Sequence, residues 1–74
     1  MPSWEHTAVK HVRRGEIMFQ VNIPKQREIP EFEIVAMKNG LVVDRAVGWD
    51  SHDSHLDLID HMSVSLEEAG WRMN

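Results

Sequence analysis

The stretch Phe32-Glu33-Ile34-Val35-Ala36-Met37-Lys38-Asn39-Gly40-Leu41-Val42-Val43-Asp44-Arg45-Ala46-Val47-Gly48-Trp49 decides the fold. Two apolar, β-branched runs flank Asn39-Gly40, the dipeptide best suited to the positive φ angles of a type I′ turn. A two-residue loop there sets Ala36 opposite Val43, Ile34 opposite Arg45 and Phe32 opposite Val47. One face of this hairpin then carries Phe32, Ile34, Ala36, Val43, Val47 and Trp49, and is expected to form the core. The other carries Val35, Met37, Val42 and Ala46 beside Glu33 and Asp44, so neither side is wholly polar.

Upstream, Ile17, Phe19, Val21 and Ile23 alternate with Glu16, Met18, Gln20 and Asn22. A period of two marks a half-buried strand. Arg13-Arg14-Gly15-Glu16 joins it to a preceding strand over residues 6–13, with Gly15 free to take positive φ. A two-residue loop there sets Val12 opposite Ile17 and Ala8 opposite Val21, all on one face. Pro24 ends the second strand because it has no N–H for the ladder, and residues 24–30 read as a polar loop bracketed by prolines.

After Trp49 the period changes. Asp50-Ser51-His52-Asp53-Ser54 is rich in residues that cap helices. A helix over residues 54–69 follows, with Leu58, Ile59, Met62, Leu66 and Ala69 on one stripe and Gly70 as its stop. Trp71-Arg72-Met73 is expected to pack back on the sheet as a short edge strand. The expected fold is α+β: a four-stranded antiparallel sheet of two β-hairpins with one C-terminal helix packed on one face. The order is β-β-β-β-α, in a single small domain spanning residues 1–74.

The absence of cysteine removes disulfides and thiolate zinc sites as sources of stability. The opening residues are too polar for a signal peptide, and no apolar run is long enough to span a bilayer, so a cytoplasmic protein without membrane contact is expected. Twelve acidic residues against eight basic ones give a net charge of −4. That argues against a general binder of nucleic acid or anionic membranes. The charge is also uneven: from Asp44 onward seven carboxylates face only Arg45 and Arg72.

Residues 50–61 hold three histidines and four aspartates, the natural ligands of a cysteine-free metal site. His52, His55, Asp57 and His61 are the candidate ligands. Helical spacing sets His55 near the apolar stripe and Asp57 with His61 opposite it, so they do not converge on one point. No Gly-rich phosphate loop, nucleophile elbow or Ser/His/Asp grouping is present, and neither catalysis nor a cofactor is expected. Met1-Pro2 offers a terminal proline amine after removal of Met1, but a hairpin follows in place of the helix such a catalytic site needs. Arg13, Arg14, Lys25 and Arg27 are a candidate basic patch for nucleic acid. The helix start, with His52, Asp53 and Asp57, would repel phosphates.

Two surfaces suit a protein partner. Val9, Met18, Val35, Met37, Val42 and Ala46 would lie on a sheet face that one helix leaves open, and an apolar patch of this kind marks an association surface or a homodimer contact. On the helix, Asp53, Asp57, Asp60, Glu67 and Glu68 form an acidic ridge around Val64, with no lysine or arginine between Asp50 and Gly70. Such a ridge complements a basic, nucleic-acid-binding protein. The leading expectation is a non-catalytic interaction module: a small regulator or inhibitor, of the kind some phages encode. The candidate contact residues are Asp53, Asp57, Asp60, Val64, Glu67, Glu68, Val35, Met37 and Val42. A metal-binding protein or small metal-dependent enzyme is the alternative, and nucleic-acid binding through the basic hairpin tip a third.

Overall fold

The computed structural model describes residues 5–26, 28, 30–50 and 53–74. Strands β1 (His6–Arg14), β2 (Ile17–Pro24), β3 (Glu31–Lys38) and β4 (Leu41–Trp49) are followed by one helix, α1 (His55–Glu68). The strands pair antiparallel in the order β1-β2-β3-β4, which is the α+β architecture expected from the periodicities.

The turns follow from local chemistry. Asn39 and Gly40 both take positive φ, at 51° and 82°, as a type I′ loop requires. At the first hairpin Gly15 alone supplies it, at φ 60°, and Arg14 pairs with Ile17 around a two-residue loop. The loop has the two residues expected, but they are Gly15 and Glu16 in place of Arg14 and Gly15. Val12 therefore lies opposite Phe19, and a bulge between Ala8 and Lys10 sets Ala8 opposite Asn22 and Lys10 opposite Val21. The later turn brings Arg14 into the ladder opposite Ile17, and one glycine suffices to close it.

The core lies between one sheet face and the helix. Ile17, Phe19 and Val21 of β2, Phe32, Ile34 and Ala36 of β3, and Ile59, Met62 and Leu66 of α1 are buried together. Ser54 caps α1, its Oγ accepting from the Asp57 N–H at 3.0 Å, and Gly70 ends it at φ 101°. On the helix, Ser63 is buried, whereas Ala69, placed on the apolar stripe by its spacing, is exposed. The Ser63 hydroxyl donates to the Ile59 carbonyl at 2.7 Å, so the hydroxyl is buried without being orphaned.

Beyond the helix, Trp71 and Met73 pack against the core without forming a strand. Glu16 holds this segment. Its N–H donates to the Arg72 carbonyl at 2.9 Å, and its Oε2 accepts from the Arg72 N–H at 2.7 Å. Lys38 bonds the other carboxylate oxygen. The Lys38 ammonium first, and the Arg72 N–H second, hold the Glu16 carboxyl below its ordinary pKa. At Gly15 a Cβ would fall 2.2 Å from the Arg72 carbonyl oxygen, so the turn and the tail approach closely only because that residue is glycine.

The largest departure from expectation is in β4. A bulge between Ala36 and Met37 pairs Met37 with Val42 but Ala36 with Asp44. Every later residue is displaced by one: Ala46 faces Ile34 and Gly48 faces Phe32. Ala46 and Gly48 thus line the core, while Val47 and Trp49, expected inside, are 49% and 52% exposed. The reason is steric. A Cβ at Gly48 would fall 2.4 Å from Cζ of Phe32, and the Phe32 ring also meets the His55 ring edge-on at 4.5 Å. Small residues on β4 let ring and helix lie close to the strand; Val47 and Trp49 in those places would hold them off.

This register makes a direct prediction for urea unfolding. Gly48→Ala should cost about 1–3 kcal/mol by overpacking against Phe32. Val47→Ala should change stability by less than about 0.5 kcal/mol, since exposed sites rarely matter more. The unbulged register predicts a loss of about 2 kcal/mol or more at Val47.

Candidate functional site

The acidic ridge is built by α1. Asp57, Asp60, Val64, Glu67 and Glu68 are all exposed on its outward side, because Ile59, Met62 and Leu66 turn toward the sheet and helical periodicity carries the others away from it. Asp60 is paired, its carboxylate bonded by Arg14 reaching across from β1. Among the described residues no ion pair forms to Asp57, Glu67 or Glu68, and the last turn of the helix holds no basic residue. Asp53 stands apart from the ridge. Its Oδ2 accepts from the Trp49 N–H at 2.9 Å, and its own N–H donates to the Trp49 carbonyl at 2.8 Å. It therefore ties the end of β4 to the entry of the helix.

The sheet face away from the helix is only partly apolar. Met18, Met37 and Val42 form one row across three strands. Met37 and Val35 are half-buried, whereas Val42 is 61% exposed. Ala46, assigned to this face by the sequence, lies on the core side because of the β4 bulge; Val47 and Trp49 take its place on the open side.

Across the same face runs a polar ladder that the sequence reading missed. His11 Nε2 and Gln20 Oε1 are 3.1 Å apart. Gln20 Nε2 donates to Asn22 Oδ1 at 2.8 Å, and Asn22 Nδ2 donates to Glu33 Oε1 at 3.1 Å. Arg45 bonds the remaining oxygen of Glu33. The row crosses all four strands and separates the Met18–Met37–Val42 patch from Val47 and Trp49. Its signal was present: Gln20, Asn22 and Glu33 are the outward positions of adjacent strands. The β2–β3 register sets Asn22 directly against Glu33, and no single strand reveals that.

Burial by itself would raise the Glu33 pKa; the hydrogen bonds from Asn22 and then Arg45 outweigh it and hold the carboxyl below its ordinary value. A lowered folded-state pKa stabilises the fold above the unfolded value of 4.5 and loses that contribution as pH falls through the folded value. The stability difference between wild type and Glu33→Gln should thus be largest near neutral pH and shrink steadily below pH 4.5. Chemical unfolding at a series of pH values checks this; a difference independent of pH would show that the ladder does not depend on the charge.

The metal candidates are not brought together. His55 turns in against Phe32, while Asp57 and His61 are exposed on the opposite side of the helix. His52 lies outside the described residues. Among the described residues no group of three metal-ligating side chains converges. The basic candidates are also dispersed. Arg14 pairs with Asp60 and Lys25 with Glu5, and Arg27 lies outside the described residues. Arg13 sits near the first turn and Lys25 beyond the far end of β2, on the order of 23 Å away at about 3.3 Å per strand residue. The hairpin tip and the proline loop are therefore not one patch.

Two surface hollows stand out among the described residues. One, of about 400 Å³, is lined by Lys10, Asp50, Asp53, Ser54, His55 and Leu56. The other, of about 250 Å³, is lined by Arg13, Glu16, Met18, Met37, Asn39 and Gly40. In the first, Ser54 is engaged as the helix cap and His55 faces Phe32. No helix among the described residues is long and apolar enough to cross a membrane. No family model, curated protein or solved structure matches the chain.

Proposed function

We propose that this protein is a non-catalytic interaction module, a small cytoplasmic regulator or inhibitor that docks its acidic helix face on a basic, nucleic-acid-binding partner protein. The observation that supports this best is the place of Glu67 and Glu68. They close a helix whose last turn has no cation, at the negative end of the peptide dipole, where carboxylates are unfavourable by about 0.3–1 kcal/mol each. Lysine there would stabilise the helix. Residues that oppose stability at an exposed site fit a role outside the fold. Asp57 and Val64 extend the same exposed face, which supplies charge for steering a basic partner and an apolar contact at its centre.

Asp60 belongs to a different category, since it holds Arg14; reversing it would place two cations together and weaken the fold. The informative variant is therefore Asp57→Lys/Glu67→Lys/Glu68→Lys. Its two changes in the last turn favour the helix while Asp57→Lys in the first turn opposes it. The thermal midpoint should thus stay close to that of the wild type, and the variant should lose a basic protein captured by the wild type in a salt-sensitive manner. Affinity capture with both proteins, followed by mass spectrometry, checks this. A partner retained equally by the triple variant would overturn the ridge as its docking surface.

A further inference from the structure

We infer that Asn39 is a self-modification site: the Gly40 backbone nitrogen displaces its side-chain amide, and the iso-aspartyl product opens the turn end of the β3–β4 hairpin. In the first step Gly40 N bonds to Cγ of Asn39 and gives up its proton, while the Cγ–Nδ2 bond breaks and ammonia leaves. A cyclic imide remains. Water opens it at Cγ to give aspartate, or at the main-chain carbonyl to give iso-aspartate, in which the chain runs through the former side chain.

The turn leaves the attacking nitrogen free. Lys38 and Leu41 form the closing pair of the ladder, so the Gly40 N–H lies outside it. Among the described residues that N–H donates to no backbone acceptor. Asn39 and Gly40 are both exposed, and a Cβ at Gly40 would meet nothing within 4 Å, so the space around the nitrogen is open. Arg13 lines the same hollow, and a cation there favours the negative charge that develops as the nitrogen loses its proton. Asn22 shows the contrast. It is 8% exposed, its Oδ1 accepts from Gln20, its Nδ2 donates to Glu33, and the branched Ile23 follows it.

The two products differ in what they do to the fold. Asp-Gly suits a type I′ turn as Asn-Gly does, so aspartate leaves the hairpin closed. Iso-aspartate adds a main-chain atom to a two-residue loop that has no slack. Only the pairs Lys38–Leu41 and Met37–Val42 lie between that loop and the bulge. Beyond the bulge, Gly48 under the Phe32 ring fixes the register. Opening is therefore confined to these two pairs and to the hollow that Met37, Asn39 and Gly40 line.

Incubation of the folded protein in warm, mildly alkaline buffer, followed by peptide mass spectrometry, tests the inference. The mass at residue 39 should rise by the difference between an amide and an acid, while Asn22 keeps its amide. The rise should be faster at higher pH, because base removes the Gly40 proton. Asn39→Gly, which keeps a turn-forming dipeptide, should show no change. Hydrogen exchange then compares the iso-aspartyl chain, separated from the aged mixture, with Asn39→Asp. The amides of Lys38 and Leu41 should lose protection in the iso-aspartyl chain alone, and those from Phe32 to Ala36 should keep it. An Asn39 amide as durable as that of Asn22, or an iso-aspartyl chain with unaltered exchange at Leu41, would overturn it. Neither readout involves a partner, so its failure is distinct from failure of the acidic ridge.

Discussion

The close approach of the Phe32 ring to Gly48 governs the molecule. The ring occupies the space where a Cβ would be, 2.4 Å from its Cζ, and this fixes which face of β4 looks inward. Once Gly48 and Ala46 line the core, the helix can settle near β3 and β4 with His55 edge-on to Phe32. Everything outward on β4 follows from the same contact, including the exposure of Val47 and Trp49. The bulge at Ala36–Met37 is the backbone's means of reconciling two demands: a type I′ turn that starts the strand in one phase, and a glycine that must lie under an aromatic ring.

This also explains what could be read from the chain and what could not. Asn39-Gly40, the alternation from Ile17 to Ile23 and the cap residues before His55 are local signals, and each produced the element expected of it. The β3 side of the core, Phe32, Ile34 and Ala36, was legible for the same reason. Strand β4 was not, because its inward residues, Ala46 and Gly48, are small while its outward ones, Val47 and Trp49, are large. Hydrophobicity points the wrong way when a core needs space instead of volume. The polar ladder was hidden for a related reason: Asn22 and Glu33 meet only through the register of two strands. The exposed acidic positions, Asp57, Glu67 and Glu68, were placed by helical period alone.

The carboxylates of this acidic chain hold several distinct places. Glu33 completes a hydrogen-bonded row within the sheet, Glu16 fastens the segment after the helix, and Asp60 receives Arg14. Asp53 and Asp44 lie on backbone N–H groups of β4. Set against these, Asp57, Glu67 and Glu68 have no ion-pair partner among the described residues, and they share one side of one helix. A net charge of −4 therefore overstates how much negative charge is available to a partner and understates how concentrated it is.

The grip of Glu16 on Arg72 joins positions 56 residues apart, in a protein whose strands otherwise pair only with their sequence neighbours. Hairpins of that kind close early and locally. The apolar surface that Trp71 and Met73 cover, by contrast, stays wet until the segment after the helix arrives. During synthesis on the ribosome the four strands would thus emerge as a sheet with one half-covered side. Helix α1 and the Trp71–Met73 segment would then convert a loose meander into a cooperative unit.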